Sequence, residues 1–229
     1  MSKFGVTVKN SSGTTYQFYL FQQDPDLFAQ NFKSTAWLTH PYKTATGVTD
    51  EFDWTIDYGL VWSATTTIKP GTVLKQHQDT SVDLNGNPNT VKFTYANDTP
   101  QFELPATKSG NPGSFYIDTV NANPIIPKNT FAFGLTVNEK MAFTTMGENG
   151  QNLKMTPKPT YWITAAKTVA QNEVLDASVS TGAVELKFKN GLNYAFVELD
   201  SNNNFSDPIY QATPFQSIAV LKTELVMED

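Results

Sequence analysis

The chain contains no cysteine, which removes disulfide bonds, thiolate nucleophiles and cysteine-ligated zinc from consideration. Histidine is almost as scarce, with His40 ahead of Pro41 and Tyr42 and His77 in the polar run "KQHQD". No G-x-S-x-G elbow, H-E-x-x-H pair or G-x-G-x-x-G loop occurs, so hydrolase, metalloprotease and nucleotide chemistry lack their usual signatures. No catalytic residue is assigned, and the protein is expected not to be an enzyme. Charge is also sparse: 17% of residues are charged, against about 25% in ordinary soluble domains. Sixteen basic and twenty-two acidic side chains give a net charge of −6. With no Lys/Arg cluster to neutralise phosphates, nucleic acid is not an expected partner. No apolar run approaches the roughly 20 residues of a membrane helix, and "MSKFGVTVKN" passes directly into strand-like alternation without an apolar leader. The expectation is a chain with no membrane span, cytoplasmic at synthesis.

What the sequence has in quantity is period-two alternation broken by turn residues. Phe4, Val6 and Val8 alternate with small or polar neighbours, "NSSG" (10–13) supplies a turn, and "YQFYLFQQ" (16–23) runs back, which predicts a hairpin. Pro70-Gly71 in "IKPGTVL" suits the centre of a type II turn, and a second turn falls at Asn85 to Asn89. From "SFYIDTV" through "TFAFGLTV", "KMAFTTM", "TYWITAA", "EVLDASV", "AVELKF" and "NYAFVELD" to "IAVLKTELVM", short strand patterns recur. About a dozen such strands predict an all-β antiparallel β-sandwich over residues 1–229. The Pro- and Gly-rich stretch 104–113 is the candidate sub-boundary within that single domain, and only "DPDLFAQNF" (24–32) reads as locally helical.

The stretch "EFDWTIDYGLVWSAT" (51–65) holds Asp53 and Asp57 around Trp54. On one strand, the large even-numbered side chains from Phe52 to Trp62 share a face, which reads as core. The two aspartates then lie opposite, about 13 Å apart at ~3.3 Å per residue. That is too far for the ~5–9.5 Å of a glycosidase pair.

In "ELDSNNNFSD", Asp200, Asn202 and Asn204 follow the one-three-five spacing of oxygen ligands to calcium, with Asp207 beyond. Phe205 and Gln211 occupy the positions where an EF-hand needs glycine and glutamate, so an Asn/Asp-rich turn is the simpler reading. These four residues are the candidate ligand-binding site, calcium being the one cofactor that the spacing suggests. The sequons at Asn10, Asn97 and Asn204 carry no weight without a secretory leader. The C-terminal pattern "SIAVLKTELVMED" (217–229) is the candidate edge for assembly with other copies, with Ile218 and Val220 on one face and Lys222 next in the same alternation.

The run "YLFQQDPDL", the segment "STAW", the stretch "FDWTIDYGLVWSATTTIKPGTVL" and the later "PTYWITAAKTVAQNEVLDASV" together resemble the rhizosphere-induced (RhiA-like) protein family of soil and host-associated bacteria. The resemblance spans residues 16 to about 180, with W-x-x-D-Y-x-x-V-W-S its most specific part. It implies an abundant bacterial protein with no catalytic residues to carry over. The leading expectation is a non-enzymatic sandwich acting by self-association. The alternative is a lectin-like module that binds glycans, with an exposed Phe205 or Tyr210 beside the Asp200 loop. A pore-forming or membrane-surface β protein is the third class.

Overall fold

The computed structural model describes residues 3–22, 32–96, 99–108, 111–120, 125–157, 160–189 and 191–215. The helical turn expected at 24–32, apart from Phe32, lies outside the described residues. So do the sequon Asn97 and the edge residues Ile218, Val220 and Lys222. Among the described residues no helix is long and apolar enough to cross a membrane.

The architecture is all-β, as the alternation predicts. The first half contributes β1 (Lys3–Asn10), β2 (Gln17–Gln22), β3 (Lys33–Ser34), β4 (Leu38–Thr39), β5 (Thr49–Thr55) and β6 (Tyr58–Ala64). The middle contributes β7 (Asp79–Val82), β8 (Thr90–Ala96), β9 (Thr99–Thr107), β10 (Phe115–Asp118), β11 (Phe131–Val137) and β12 (Lys140–Met146). After β13 (Asn152–Met155) and β14 (Tyr161–Ala166) come β15 (Val184–Leu186), β16 (Tyr194–Leu199) and β17 (Ile209–Gln211). They form four sheets in the orders β17-β16-β1-β5, β13-β10-β8-β9, β3-β12-β11-β6-β7 and β15-β14-β2-β4. One apolar cluster takes residues from all four, including Val8, Leu20, Leu60 and Phe93. This is the layered burial of a sandwich. Among the described strands, pairing is antiparallel except for β1 with β16 and β8 with β10, which are parallel.

The dozen expected strands become seventeen among the described residues, because two- to four-residue pieces such as β3, β4 and β7 are too short to show a period. The expected hairpin at the N-terminus is not formed: β1 and β2 enter different sheets. The segment "NSSG" is instead an arch between them. The Asn10 and Ser12 side chains are fully buried, Asn10 Nδ2 donates to the carbonyls of Thr14 (2.9 Å) and Thr44 (2.7 Å), and Ser12 Oγ donates to Asn10 Oδ1. Asn10 therefore cannot carry a glycan in the folded chain. The type II turn holds, with Gly71 at φ +82° and Thr72 N–H donating to Lys69 C=O. "EVLDASV" is not a strand. Asp176 accepts from the Ser178 N–H and hydroxyl and so opens a 3-10 helix over Ala177–Gly182.

β9 occupies the first four residues of the stretch 104–113. Its Pro100 and Pro105 are tolerated because it is an edge strand bonded to β8 alone. On its outer side the Gln78 amide donates to Phe102 C=O and accepts from Phe102 N–H, covering part of the open edge.

The family-like segments meet in the interior. "STAW" threads between sheets: Thr35 N–H donates to Ala142 C=O, Ala36 N–H to Glu173 C=O and Trp37 N–H to Leu20 C=O. Gln171 and Asn172, from the second-half segment, return bonds to the Ala36 carbonyl, and Asn172 Nδ2 also donates to Gln76 Oε1 at 2.9 Å. These residues are architectural joints.

Candidate functional site

The stretch 51–65 is two strands. β5 keeps the predicted alternation, with Phe52 and Trp54 buried and Glu51 and Asp53 exposed. The chain then breaks at Ile56-Asp57, and β6 joins another sheet, so the single-strand separation of Asp53 and Asp57 no longer applies. Asp53 pairs with Lys3 at 3.0 Å on the exposed side of the first sheet. Asp57 accepts from the Thr55 hydroxyl, and its carbonyl accepts from Asn138 N–H.

Both faces of β6 are used. Leu60 and Trp62 enter the main core, while Val61 packs on a second small cluster with Leu74, Met141 and Val174. That second cover stops at Gln76, whose side chain accepts from Met141 N–H and donates to Glu139 C=O. Beyond it lies Gly59, buried beneath its neighbours' polar side chains. A Cβ at Gly59 would collide with both the Asp79 carboxylate and the Thr136 hydroxyl, so glycine is what allows these groups to meet over the strand.

The result is an open groove of about 1110 Å³. Its lining includes the acidic residues Asp57, Asp79, Asp83 and Glu139, the amides Gln76, Asn85 and Asn138, and the hydroxyl residues Ser81 and Thr136, which are paired with Gly59. Among the described residues, no Lys, Arg or His lines it. Tyr58 lies at the groove's margin with its ring packed on Phe115 at 5.1 Å against the main core, and that burial lifts its phenol to about 12.

Two features of this groove cost stability. Asp79 has an open side, yet the surrounding walls desolvate its carboxyl and push its pKa up. The Thr136 hydroxyl and the Thr80 N–H oppose that rise, and the like charge of Glu139 adds to it. Asn138 and Glu139 form the two-residue link between β11 and β12 and both have positive φ, 51° and 62°. That turn favours Asn-Gly, and a glutamate there is held against its preference.

The native state therefore binds the Asp79 proton more tightly than the unfolded chain does. This contribution is greatest below the ordinary aspartate range and declines as pH rises through the folded pKa. Asp79→Asn is expected to raise the urea midpoint at pH 7 and to leave it nearly unchanged at pH 3. Glu139→Gly is expected to add up to about 1 kcal/mol at both pH values. Urea titrations of the two variants at both pH values check this.

The residues singled out from sequence lie elsewhere. One Asp200 carboxylate oxygen accepts from the N–H groups of Asn202 and Asn204, each at 2.8 Å, and Asn203 takes φ 62°. This is a side-chain-capped turn, and any cation there would share that oxygen with two N–H donors. Asn202, Asn204 and Asp207 are exposed. The described residues include no group of three or more His, Cys, Asp or Glu suited to a metal ion. Phe205 packs toward Phe18 at 6.2 Å. Tyr210 packs on Phe188 and its hydroxyl accepts from Lys187 N–H. Both are partly buried packing residues.

Of the histidines, His77 stacks on Trp62, and burial followed by Lys75 lowers its pKa. His40 stacks on Phe52, and its Nδ1 lies 2.7 Å from the Asp50 carboxylate. Asp50 is buried and also receives Tyr42 Oη, Thr44 Oγ1 and Glu51 N–H. It ties the 40–44 loop to β5.

Asp79, Thr136, Asn138 and Glu139 escaped sequence reading, although two signals were available. A glycine inside an apolar strand pattern marks close approach, and "VNEK" between two strand patterns marks a two-residue hairpin.

The family model described as RhiA matches residues 2–206, which extends beyond the 16–180 of the quoted motifs and includes the groove. Protein RhiA of Rhizobium leguminosarum bv. viciae is 30% identical over 189 residues, covering 82% of this chain and 78% of that protein. No solved structure matches.

Proposed function

This chain belongs to the RhiA family, and from that premise we propose that it is a non-catalytic binding protein whose groove over Gly59 takes a neutral, hydroxyl-rich ligand, a glycan. The supporting observation is that two groups are kept on the groove wall at a cost to the fold. A crowded carboxylate at Asp79 and a left-handed glutamate at Glu139 bring the packing no evident return. Rules of local stability are broken mostly where function needs the group. Carboxylates, amides and aliphatic hydroxyls around an uncharged ligand can accept from and donate to successive sugar hydroxyls. The clustered carboxylates and lack of a lining cation oppose anionic sugars.

A glycan array followed by calorimetry tests this reading. Neutral or amino sugars are expected to bind and uronate-bearing glycans are not. Asp79→Ala should weaken binding at least tenfold while the protein stays folded. An array without signal, a preference for acidic glycans, or unchanged affinity in Asp79→Ala would overturn the proposal. If glycans fail and light scattering shows mass growing with concentration, function moves to assembly through strand edges. Exposed Ile209 on edge strand β17 is the described candidate for that role.

A further inference from the structure

A second cleft of about 420 Å³ opens beside the groove, and Ile56 lines both. The second cleft is of opposite character. Phe4, Tyr161, Leu186 and Phe188 form most of its wall. Phe188 stands edge-on to Phe4 at 5.3 Å and to Tyr161 at 6.0 Å, with Trp54 at 5.7 Å. Phe4 and Phe188 are only partly buried, which leaves ring surface open to water at the end of an otherwise closed aromatic cluster. Among the described lining residues the only charged side chains are Lys187 and Glu185, which pair with each other at 2.8 Å.

The two hollows meet at the break between β5 and β6. Ile56 is a lining residue of both, and the next residue, Asp57, belongs to the polar groove. We propose that the two hollows form one bipartite site for an amphiphilic glycoside: the hydroxyl-rich head lies over Gly59, and an apolar aglycone crosses Ile56 into the aromatic cleft. This rests on the glycan reading above and extends it by naming the ligand class. A bare sugar would leave the ring faces of Phe4 and Phe188 wet. A bare hydrocarbon would leave the carboxylate-lined groove unused. A joined head and tail uses both.

The test titrates methyl, octyl and phenyl β-glycosides of glucose, galactose and N-acetylglucosamine into the full chain by calorimetry, below the micelle concentration of the octyl compounds. Octyl or phenyl glycosides should bind at least tenfold more tightly than the methyl glycoside of the same sugar. Along an alkyl series affinity should rise about fourfold per methylene until the cleft is full. Phe188→Ala should reduce the octyl and phenyl compounds to the methyl level and leave the methyl glycoside unchanged. Because Phe188 packs on the core, Phe4→Leu serves as the second variant: Phe4 lines the aromatic cleft alone, leucine keeps apolar volume in the cluster, and the octyl and phenyl advantage should likewise shrink with the methyl glycoside unchanged.

Equal affinity of methyl and octyl glycosides would overturn the bipartite site and leave the glycan reading standing. So would an octyl advantage that survives both variants. Octyl binding that is insensitive to Asp79→Ala yet lost in Phe188→Ala would overturn both readings in favour of a purely apolar ligand. Binding of none of the probes would likewise overturn both.

Discussion

Trp37→Ala is expected to lower the free energy of unfolding by about 3–5 kcal/mol, the largest loss from any single truncation proposed for this chain. Trp37 is fully buried, edge-on to Trp54 at 5.5 Å and stacked with Tyr161 at 5.7 Å. It joins elements that are otherwise separate, because its Nε1 donates to Val137 C=O at 2.7 Å while its main-chain N–H donates to Leu20 C=O. Truncation opens a cavity among three sheets and leaves a buried carbonyl without its donor. Trp37→Phe keeps most of the apolar volume and loses the bond, so it should cost about 1–3 kcal/mol. Equilibrium urea unfolding at constant slope separates the two, and equal losses would mean that the cavity contributes nothing beyond the hydrogen bond.

Asp50→Ala is the second large effect, with an expected loss of about 3 kcal/mol. The Asp50 carboxylate sits buried under the 40–44 loop and accepts four groups, two of them hydroxyls and one its neighbour's N–H. Removal strands the buried Thr44 hydroxyl and unties the partly exposed His40 and the exposed Tyr42 from β5. His40→Ala should cost clearly less, because the imidazole is 28% exposed and three donors to Asp50 remain. If His40→Ala proved as damaging as Asp50→Ala, the stacking of His40 on Phe52 would be the main tie and the carboxylate a bystander. Thermal unfolding and near-ultraviolet circular dichroism, which reports the surrounding Tyr and Trp rings, provide the readout.

Local alternation made the fold class legible. "TFAFGLTV" and "KMAFTTM" became β11 and β12 because each carries its own period and the gap between them has room only for a tight turn. Partner choice was not legible. "NSSG" has the composition of a hairpin turn, and nothing local reveals that Asn10 and Ser12 will be buried and bonded to Thr14 and Thr44. That outcome is decided by Thr44, far along the chain from the turn it closes. The site was hidden for the same reason. Asp57 was visible beside its tryptophan, but the groove exists only where β7 and β11 flank Gly59, a pairing set by tertiary packing. The Asp200 spacing was the more conspicuous signal, and its carboxylate is engaged in holding its own turn.

The parallel pairing of β1 with β16 brings Gly5 beside Tyr194 and Asn10 beside Leu199. During translation at about 5–20 residues per second, the first strand therefore waits roughly ten to forty seconds for its neighbour. Throughout that interval Val6 and Val8 have no completed sheet to enter. Long-range closure of this kind slows folding and exposes strand edges to the wrong partners. The first strand's other neighbour in the sheet, β5, is ready once Thr55 has emerged, so the β1–β5 pair can form early and leave only the edge that β16 later takes.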